Sequence, residues 1–488
     1  MSKDAVNTAV AATPESAVQT PADAGDAGYS KDLKARHVNM IAIGGAIGTG
    51  LFLGAGGRLH SAGPALALAY LVCGVFAFFV VRALGELVLY RPSSGSFVSY
   101  AREFLGEKGA YVAGWMYFLN WSTTGIADIT AIALYTHYWS LFTDIPQWLL
   151  ALAALAVVLA VNLISVKIFG EMEFWFAIVK VATLVGFMLI GVFLLATRHE
   201  VGGTTPGLSV ITDNGGLLPH GAMPVVLVMQ GVIFAYAALE LVGVAAGETA
   251  EPEKVVPRAV NSIMWRVGLF YCGSVLLLAL LLPGSVYSGD ESPFVTVLSK
   301  IGVPAAGDVM NLVVLTAAMS SLNSGLYSTG RILRSMATAG SAPKFTARMN
   351  RSQVPYGGIL LTCAVCVLGV GLNYLVPSKA FEIVLNVASL GIISTWVIIM
   401  VCHLVFVRRA RAGLLSRPGF RLPGSPVTEI ATIAFLLACL GLMADDPEVG
   451  RKTLLLVPLI AAALVTGWFA VRRRVNHTED QDLAEVTR

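Results

Sequence analysis

A chain of 488 residues that is 56% hydrophobic and only 13% charged falls well short of the roughly 25% charged residues of a soluble globular protein. With a mean hydropathy of +0.74 any soluble fold would leave much apolar surface in water, so the composition excludes an ordinary soluble domain and reads as an integral membrane protein. The net charge of +3 is small; its distribution along the chain is the informative part, and nothing in it points to nucleic acid.

Residues 1–36 are rich in Ala, Thr, Asp and Pro. They lack an apolar core, and no basic start precedes a small-residue cleavage site. The segment reads as a disordered cytoplasmic tail and not as a cleavable signal peptide. Beyond it, runs of about 20 mostly apolar residues, the length that crosses a bilayer, lie near 38–58, 64–89, 110–139, 147–167, 173–196, 222–247, 261–283, 306–335, 357–376, 380–406, 427–443 and 453–471. The expected fold class is all-α with twelve transmembrane helices. Basic residues concentrate in alternate connections: Arg91, Arg102, Lys108, Lys167, Lys254, Arg258, Lys344, Arg348, Arg351, Arg408, Arg409, Arg411, Arg417, Arg421 and the Arg472–Arg474 run. The opposite connections hold few, among them Arg58, Arg198, Lys300, Lys379, Arg451 and Lys452. This bias predicts that both termini are cytoplasmic, in agreement with an even number of spans.

Two of the runs are interrupted. The first reads Ile43–Gly–Gly–Ala–Ile–Gly–Thr–Gly–Leu51, and the sixth reads Phe234–Ala–Tyr–Ala–Ala–Leu–Glu240, followed by Gly243 and Gly247. Each glycine costs a helix roughly 1 kcal/mol relative to alanine, so Gly44, Gly45, Gly48 and Gly50 oppose a continuous first helix. An unwound segment frees backbone N–H groups that suit a carboxylate and carbonyls that suit an ammonium. Close helix packing through small residues is the alternative use of such a pattern. The second break, five helices later, favours a binding site and suggests an inverted repeat. The expected divisions are a tail (1–36), a first repeat (37–200), a second repeat (201–410), two further helices (411–473) and a C-terminal tail (474–488).

Ionisable residues within spans are costly and mark function more often than not. Lys180 lies in the fifth span with no acidic residue within a helical turn, which makes it a candidate for proton exchange or, alternatively, a lysine bound to carbonyls for structure. Asp128 in the third span and Glu240 at the sixth-helix break could neutralise an amino group, bridge to Lys180, carry a proton, or simply bond between helices. Arg82 and Glu86, four apart, are expected to form an ion pair on one helix face. Glu248, Glu251, Arg331 and Arg334 are expected at the cytoplasmic boundary as gate or interface charges. The eighth span is unusually polar, with Ser320, Asn323, Ser324 and Tyr327 on one face, expected to line a cavity. The six cysteines, including Cys363 and Cys366, lie in apolar runs and read as packing residues. The sequence holds no HExxH pattern, paired Cys/His set or nucleophile elbow, so no enzyme activity, metal or cofactor is expected.

The stretch Gly44–Gly–Ala–Ile–Gly–Thr–Gly–Leu–Phe52 resembles the first-helix signature of the amino acid transporter family within the amino acid–polyamine–organocation superfamily. So do Arg91–Pro–Ser–Ser–Gly–Ser–Phe97, Gly114–Trp–Met–Tyr117, Glu173–Phe–Trp–Phe176 with Lys180, Ala246–Gly–Glu–Thr–Ala–Glu–Pro252 and Asn323–Ser–Gly–Leu–Tyr327. The resemblance runs from about residue 30 to 475. It implies the leucine-transporter-type five-plus-five inverted repeat with two additional C-terminal helices, and proton-coupled amino acid uptake across a bacterial cytoplasmic membrane, by a monomer or homodimer. In that family the backbone at Gly48, Thr49 and Gly50 would hold the substrate carboxylate, and carbonyls near Ile43 and Phe234–Ala237 its amino group. Phe234 would gate the site, and Lys180 matches a lysine that replaces a sodium ion in proton-driven relatives. Family members often carry Glu where this chain has Asp128. The expected substrate-binding set is thus Ile43, Gly45, Ala46, Gly48, Thr49, Gly50, Asp128, Phe234, Ala235, Ala237, Glu240, Ser321 and Asn323, with Lys180 coupling the proton. Phe118–Leu–Asn–Trp121 and Pro355–Tyr–Gly–Gly358 draw the resemblance toward the asparagine-carrying branch. Branches for 4-aminobutyrate, D-alanine and aromatic amino acids share most of the motifs. Amino acid exchange and a non-transporting sensor are the competing activities.

Overall fold

A computed structural model describes residues 36, 40, 47–93, 95–246, 251–303, 305–375, 380–445 and 450–486. The N-terminal tail up to residue 35, and Ile43, Gly45, Ala46 and Glu248 from the sequence reading, lie outside the described residues. Among the described residues the chain is helical throughout, with a single isolated bridge, Val201 to Thr204, as its only extended pairing.

The helices follow the apolar runs. The first interrupted run gives α1 (Thr49–Phe52) and α2 (Gly54–Ala62), then α3 (Leu66–Tyr90), α4 (Ser96–His137), α5 (Gln147–Asn162) and α6 (Val166–Thr197). The second interrupted run gives α7 (Ala222–Leu227), α8 (Met229–Ala235) and α9 (Leu241–Ala246). After it come α10 (Pro252–Arg266), a π-wound turn at Val267–Gly273, α11 (Ser274–Leu281), α12 (Pro293–Lys300) and α13 (Ala306–Thr338). The chain closes with α14 (Tyr356–Leu375), α15 (Ala380–Arg411), α16 (Val427–Leu442) and, after Gly450–Leu454, α17 (Leu456–Val486). The last helix runs on to Val486, so residues expected as a C-terminal tail are helical.

Local chemistry explains the boundaries. Ser165 caps α6, its hydroxyl accepting from the Ile168 N–H at 3.2 Å, which satisfies one first-turn donor. Pro252 opens α10, where its missing N–H costs nothing. Gly106, at φ +78°, interrupts the helical path of α4 and bends it; a side chain there would be strained.

Eight stretches among the described residues are long and apolar enough to cross a bilayer, with Thr49–Tyr90 counted as one. Gln147–Asn162 and Ala222–Ala235 are apolar but shorter. The fold is therefore an all-helical, multi-span membrane architecture. α4 lies at its centre, packed along both α13 and α15. α17 is at the other extreme: none of its most apolar window is buried.

One expected pair does not form. Glu86, fully buried, accepts from Arg417 Nε at 2.6 Å and the Leu422 N–H at 2.7 Å, and lies 3.0 Å from His403 Nε2. His403 Nδ1 in turn lies 2.9 Å from Glu429. Arg82 instead stacks 3.4 Å over the Phe420 ring and donates to Asn261 at 2.7 Å. The loop after α15 folds back over α3, and these loop contacts displace the local i,i+4 pairing. The result ties α3, α15 and α16 together at one end of the bundle.

Candidate functional site

The two interrupted helices meet at their breaks. Gly48 is extended (φ −134°, ψ −161°) and its carbonyl accepts from the Leu51 and Phe52 N–H groups. The N–H groups of Thr49 and Gly50, in the first turn of α1, have no intrahelical acceptor. A β-carbon on Gly50 would lie 2.5 Å from Ala235 Cα, so only glycine lets α1 cross the end of α8 this closely. On the other strand of the crossing, α8 ends at Ala235 and the chain turns through 236–240. Ala238 there takes φ +75°, a left-handed conformation that costs a non-glycine residue on the order of 1–3 kcal/mol. The Phe234 carbonyl accepts from the Ala237 N–H at 3.0 Å, and the Ala235 carbonyl from Tyr271 Oη at 3.2 Å. Each keeps a second lone pair. Tyr236 is pinned by its hydroxyl to the Tyr70 carbonyl at 2.7 Å.

Asp128 reaches this crossing from α4. It is fully buried and accepts from Thr49 Oγ1 at 2.9 Å through one oxygen, while its other oxygen has no hydrogen bond of full geometry among the described residues, with the Ser321 hydroxyl its nearby donor. Ser321 of α13 stands beside Gly48, 3.8 Å from where its β-carbon would be. Phe234 is buried, with 3% of its surface exposed.

Lys180 belongs to a second cluster. Its Nζ donates to Ser320 Oγ at 3.0 Å, and Ser320 donates to Glu173 Oε2 at 2.7 Å. Asn323 donates to Glu173 Oε1 at 2.9 Å and accepts from Asn162 at 2.9 Å. Lys180 has no acidic neighbour within one helical turn, but Glu173 stands two turns back on the same face of α6. Both Glu173 and Asp128 act electrostatically on Lys180, so the lysine stands between the two clusters. Asn323, expected to line a cavity, has its amide engaged at both ends.

Glu240 forms a third. It is 1% exposed, and Tyr117 and Trp396 are near neighbours. Among the described residues neither of its carboxylate oxygens meets a donor at full hydrogen-bond geometry, although the Trp396 indole and the backbone at Ala238 and Glu240 approach it; Tyr117 Oη and Trp121 Nε1, which face each other, are likewise short of full geometry. A buried polar group left unsatisfied costs roughly 1–3 kcal/mol, and these poorly bonded groups are drawn from α4, α15 and the second break. Such a concentration fits a surface built to meet a polar ligand.

The expected boundary charges separate. Arg331 is buried, stacked 3.5 Å over Tyr327, which itself stacks on Phe169. Glu251 pairs with Lys254 on the surface at 2.8 Å. Arg58, expected in a loop, is buried in α2 and donates to the Gly50 carbonyl at 2.9 Å.

Comparison with known proteins bears on this arrangement. Residues 37–479 match the family model described as amino acid permease. The chain is 87% identical to an L-asparagine permease of Streptomyces coelicolor over 483 residues, 99% of each chain. It is 61% identical to an L-asparagine permease of Salmonella typhimurium, covering 93% of this chain and 91% of that one. It is 60% identical to L-asparagine permease 2 of Mycobacterium bovis, covering 92% and 93%.

Proposed function

This chain belongs to the amino acid permease family, and we propose that it imports L-asparagine by proton symport across a bacterial cytoplasmic membrane. It is a carrier and not an enzyme, as are the permeases it resembles. The choice of asparagine is carried by the name of the relatives at 87%, 61% and 60% identity.

The substrate would sit at the crossing of the two breaks. The N–H groups of Gly48, Thr49 and Gly50 hold the α-carboxylate, and the carbonyls of Ile43 and Phe234–Ala237 hold the ammonium. Asp128 adds a negative charge one hydrogen bond from Thr49, and Phe234 closes over the ligand. Glu240 and its neighbours supply polar contacts to the rest of the molecule. Lys180 carries the coupling proton. Charged, it favours the packing in which Ser320 and Glu173 receive it; neutral, it releases α13 and α1 to a different packing. Coupling requires that proton and substrate each prefer one of these states. The architecture proposed is the five-plus-five inverted repeat with helices 11 and 12 appended and both termini cytoplasmic, as a monomer or homodimer.

Purified protein in liposomes tests this. Labelled asparagine should accumulate when an inward proton gradient is imposed, and Lys180→Ala should lose accumulation. Uptake indifferent to the gradient would overturn the coupling. Stronger competition by glutamine, aspartate, 4-aminobutyrate or D-alanine than by asparagine would overturn the substrate.

A further inference from the structure

We propose that a second binding subsite for a free amino acid lies in the cavity beyond the crossing, with Arg58 receiving the carboxylate. It rests on the reading of the chain as an amino acid carrier, but concerns a place separate from the crossing itself. The cavity, about 420 Å³, is lined from α2, α7, α8, the start of α15 and the end of α16. α15 ends and α16 begins on either side of the arginine-rich loop that follows Arg408, so the cavity, lined by the start of α15 and the end of α16, opens at the opposite end of the bundle. Under the proposed orientation that is the outer face.

Arg58 is 8% exposed. One of its nitrogens, Nη1, bonds the Gly50 carbonyl at 2.9 Å and the Tyr70 hydroxyl at 3.4 Å. No carboxylate lies within ion-pair distance among the described residues. Burying a cation without a counter-charge is expensive, and the two bonds it makes use a single corner of a five-donor fork. The fork is given room on purpose: a β-carbon on Gly231 would lie 2.7 Å from Nε, and one on Gly54 would lie 2.8 Å from Nη2. Gln230, 9% exposed, lines the same cavity with an amide nitrogen that has no partner among the described residues. A guanidinium fork matches a carboxylate with two parallel bonds. Asp445, on the cavity's exposed rim, supplies the opposite charge for an ammonium. Gln230 and Asn386 supply amide groups. A cation, an anion and amides around one small cavity complement a zwitterion with a polar side chain. Because Arg58 bonds the carbonyl of Gly50, a ligand leaving it would pass directly to the first break.

The test is protection from modification. Ser61 lines the cavity and is exposed; Ser61→Cys in the full chain, in liposomes, is treated with a membrane-impermeant thiol reagent, with the native chain as background. At saturating L-asparagine, modification should slow about tenfold, as occupancy above nine-tenths requires. The protection should persist when Gly50→Ala blocks the crossing, and vanish with Arg58→Gln. Since Arg58 also braces Gly50, Gln230→Leu and Asp445→Asn, made separately, provide a second measure: each should weaken protection by about threefold, the worth of one modest hydrogen bond. No protection, protection lost with Gly50→Ala, protection unchanged in both of the latter variants, or equal protection by sodium chloride would overturn the proposal. Failure of the carrier reading would look different: no uptake or binding of labelled asparagine by the native chain at all.

Discussion

Glu173 and Glu240 are each 1% exposed within the same bundle, yet their surroundings differ completely. Glu173 accepts from Ser320 through one oxygen and from Asn323 through the other, with Lys180 a single hydroxyl away. Among the described residues Glu240 has no hydrogen bond of full geometry on either oxygen; the donors nearest it are the Trp396 indole and the backbone at Ala238 and Glu240. The first cluster has settled its electrostatics within the protein. The second keeps a cost that folding alone does not justify, and such violations of local consistency are expected at functional sites. Under the proposed function, the difference separates a network that defines a conformational state from a surface that meets the ligand.

The largest effect should come from breaking the settled network. Glu173→Ala leaves a buried lysine without its carboxylate, and removing one partner of a buried ion pair costs on the order of 3–5 kcal/mol. Thermal unfolding in detergent should shift down strongly. A transition close to the native one would show that Glu173 and Lys180 do not depend on each other.

Glu240→Gln should behave in the opposite way. It removes a charge that no cation pairs with among the described residues and keeps the shape, so stability should change by less than about 1 kcal/mol. Asparagine uptake should fall by about tenfold or more, equivalent to at least ~1.4 kcal/mol of lost interaction. A variant that is destabilised but transports at the native rate would reverse the assignment of the two clusters.

Much of this contrast was hidden in the sequence, for reasons that are physical. Twelve spans were expected and eight stretches among the described residues qualify; those eight were legible because a bilayer imposes a run length, and the two breaks because glycine and the Phe234–Glu240 stretch disrupt that run. Lys180 stood out as a charge in an apolar helix. Its partner did not, since the bond runs through Ser320, which is 147 residues from Glu173 and on another helix. Arg58 read as a loop charge because nothing local marks the pocket that Gly54 and Gly231, far apart in the chain, hollow out around it. Arg82 and Glu86 had the right spacing to pair, but the 417–422 segment returns to claim Glu86. Local periodicity reports which residues share a face; it carries no record of which distant loop arrives there.

Asp128 stands between the two extremes, and this allows the finest test. One of its oxygens is held by Thr49, and the other has no hydrogen bond of full geometry among the described residues. Thr49→Val keeps the volume and removes the hydroxyl, which should move Asp128 toward the condition of Glu240. A hydrogen bond to a charged group is worth roughly 1.5–3 kcal/mol, and its loss is softened where solvent or a neighbour can substitute. Ser321, beside Gly48, is such a neighbour, so the fall in stability should be about 1–2 kcal/mol, below that of Glu173→Ala. If the site reading holds, the same variant also loosens the first break where the substrate carboxylate binds, and KM should rise together with the loss of stability. Thr49→Ser, which restores the hydroxyl, should recover both. A variant that loses stability at unchanged KM would place Thr49 and Asp128 with the Glu173 network, as scaffold, and leave the ligand-facing role to Glu240 and its neighbours alone.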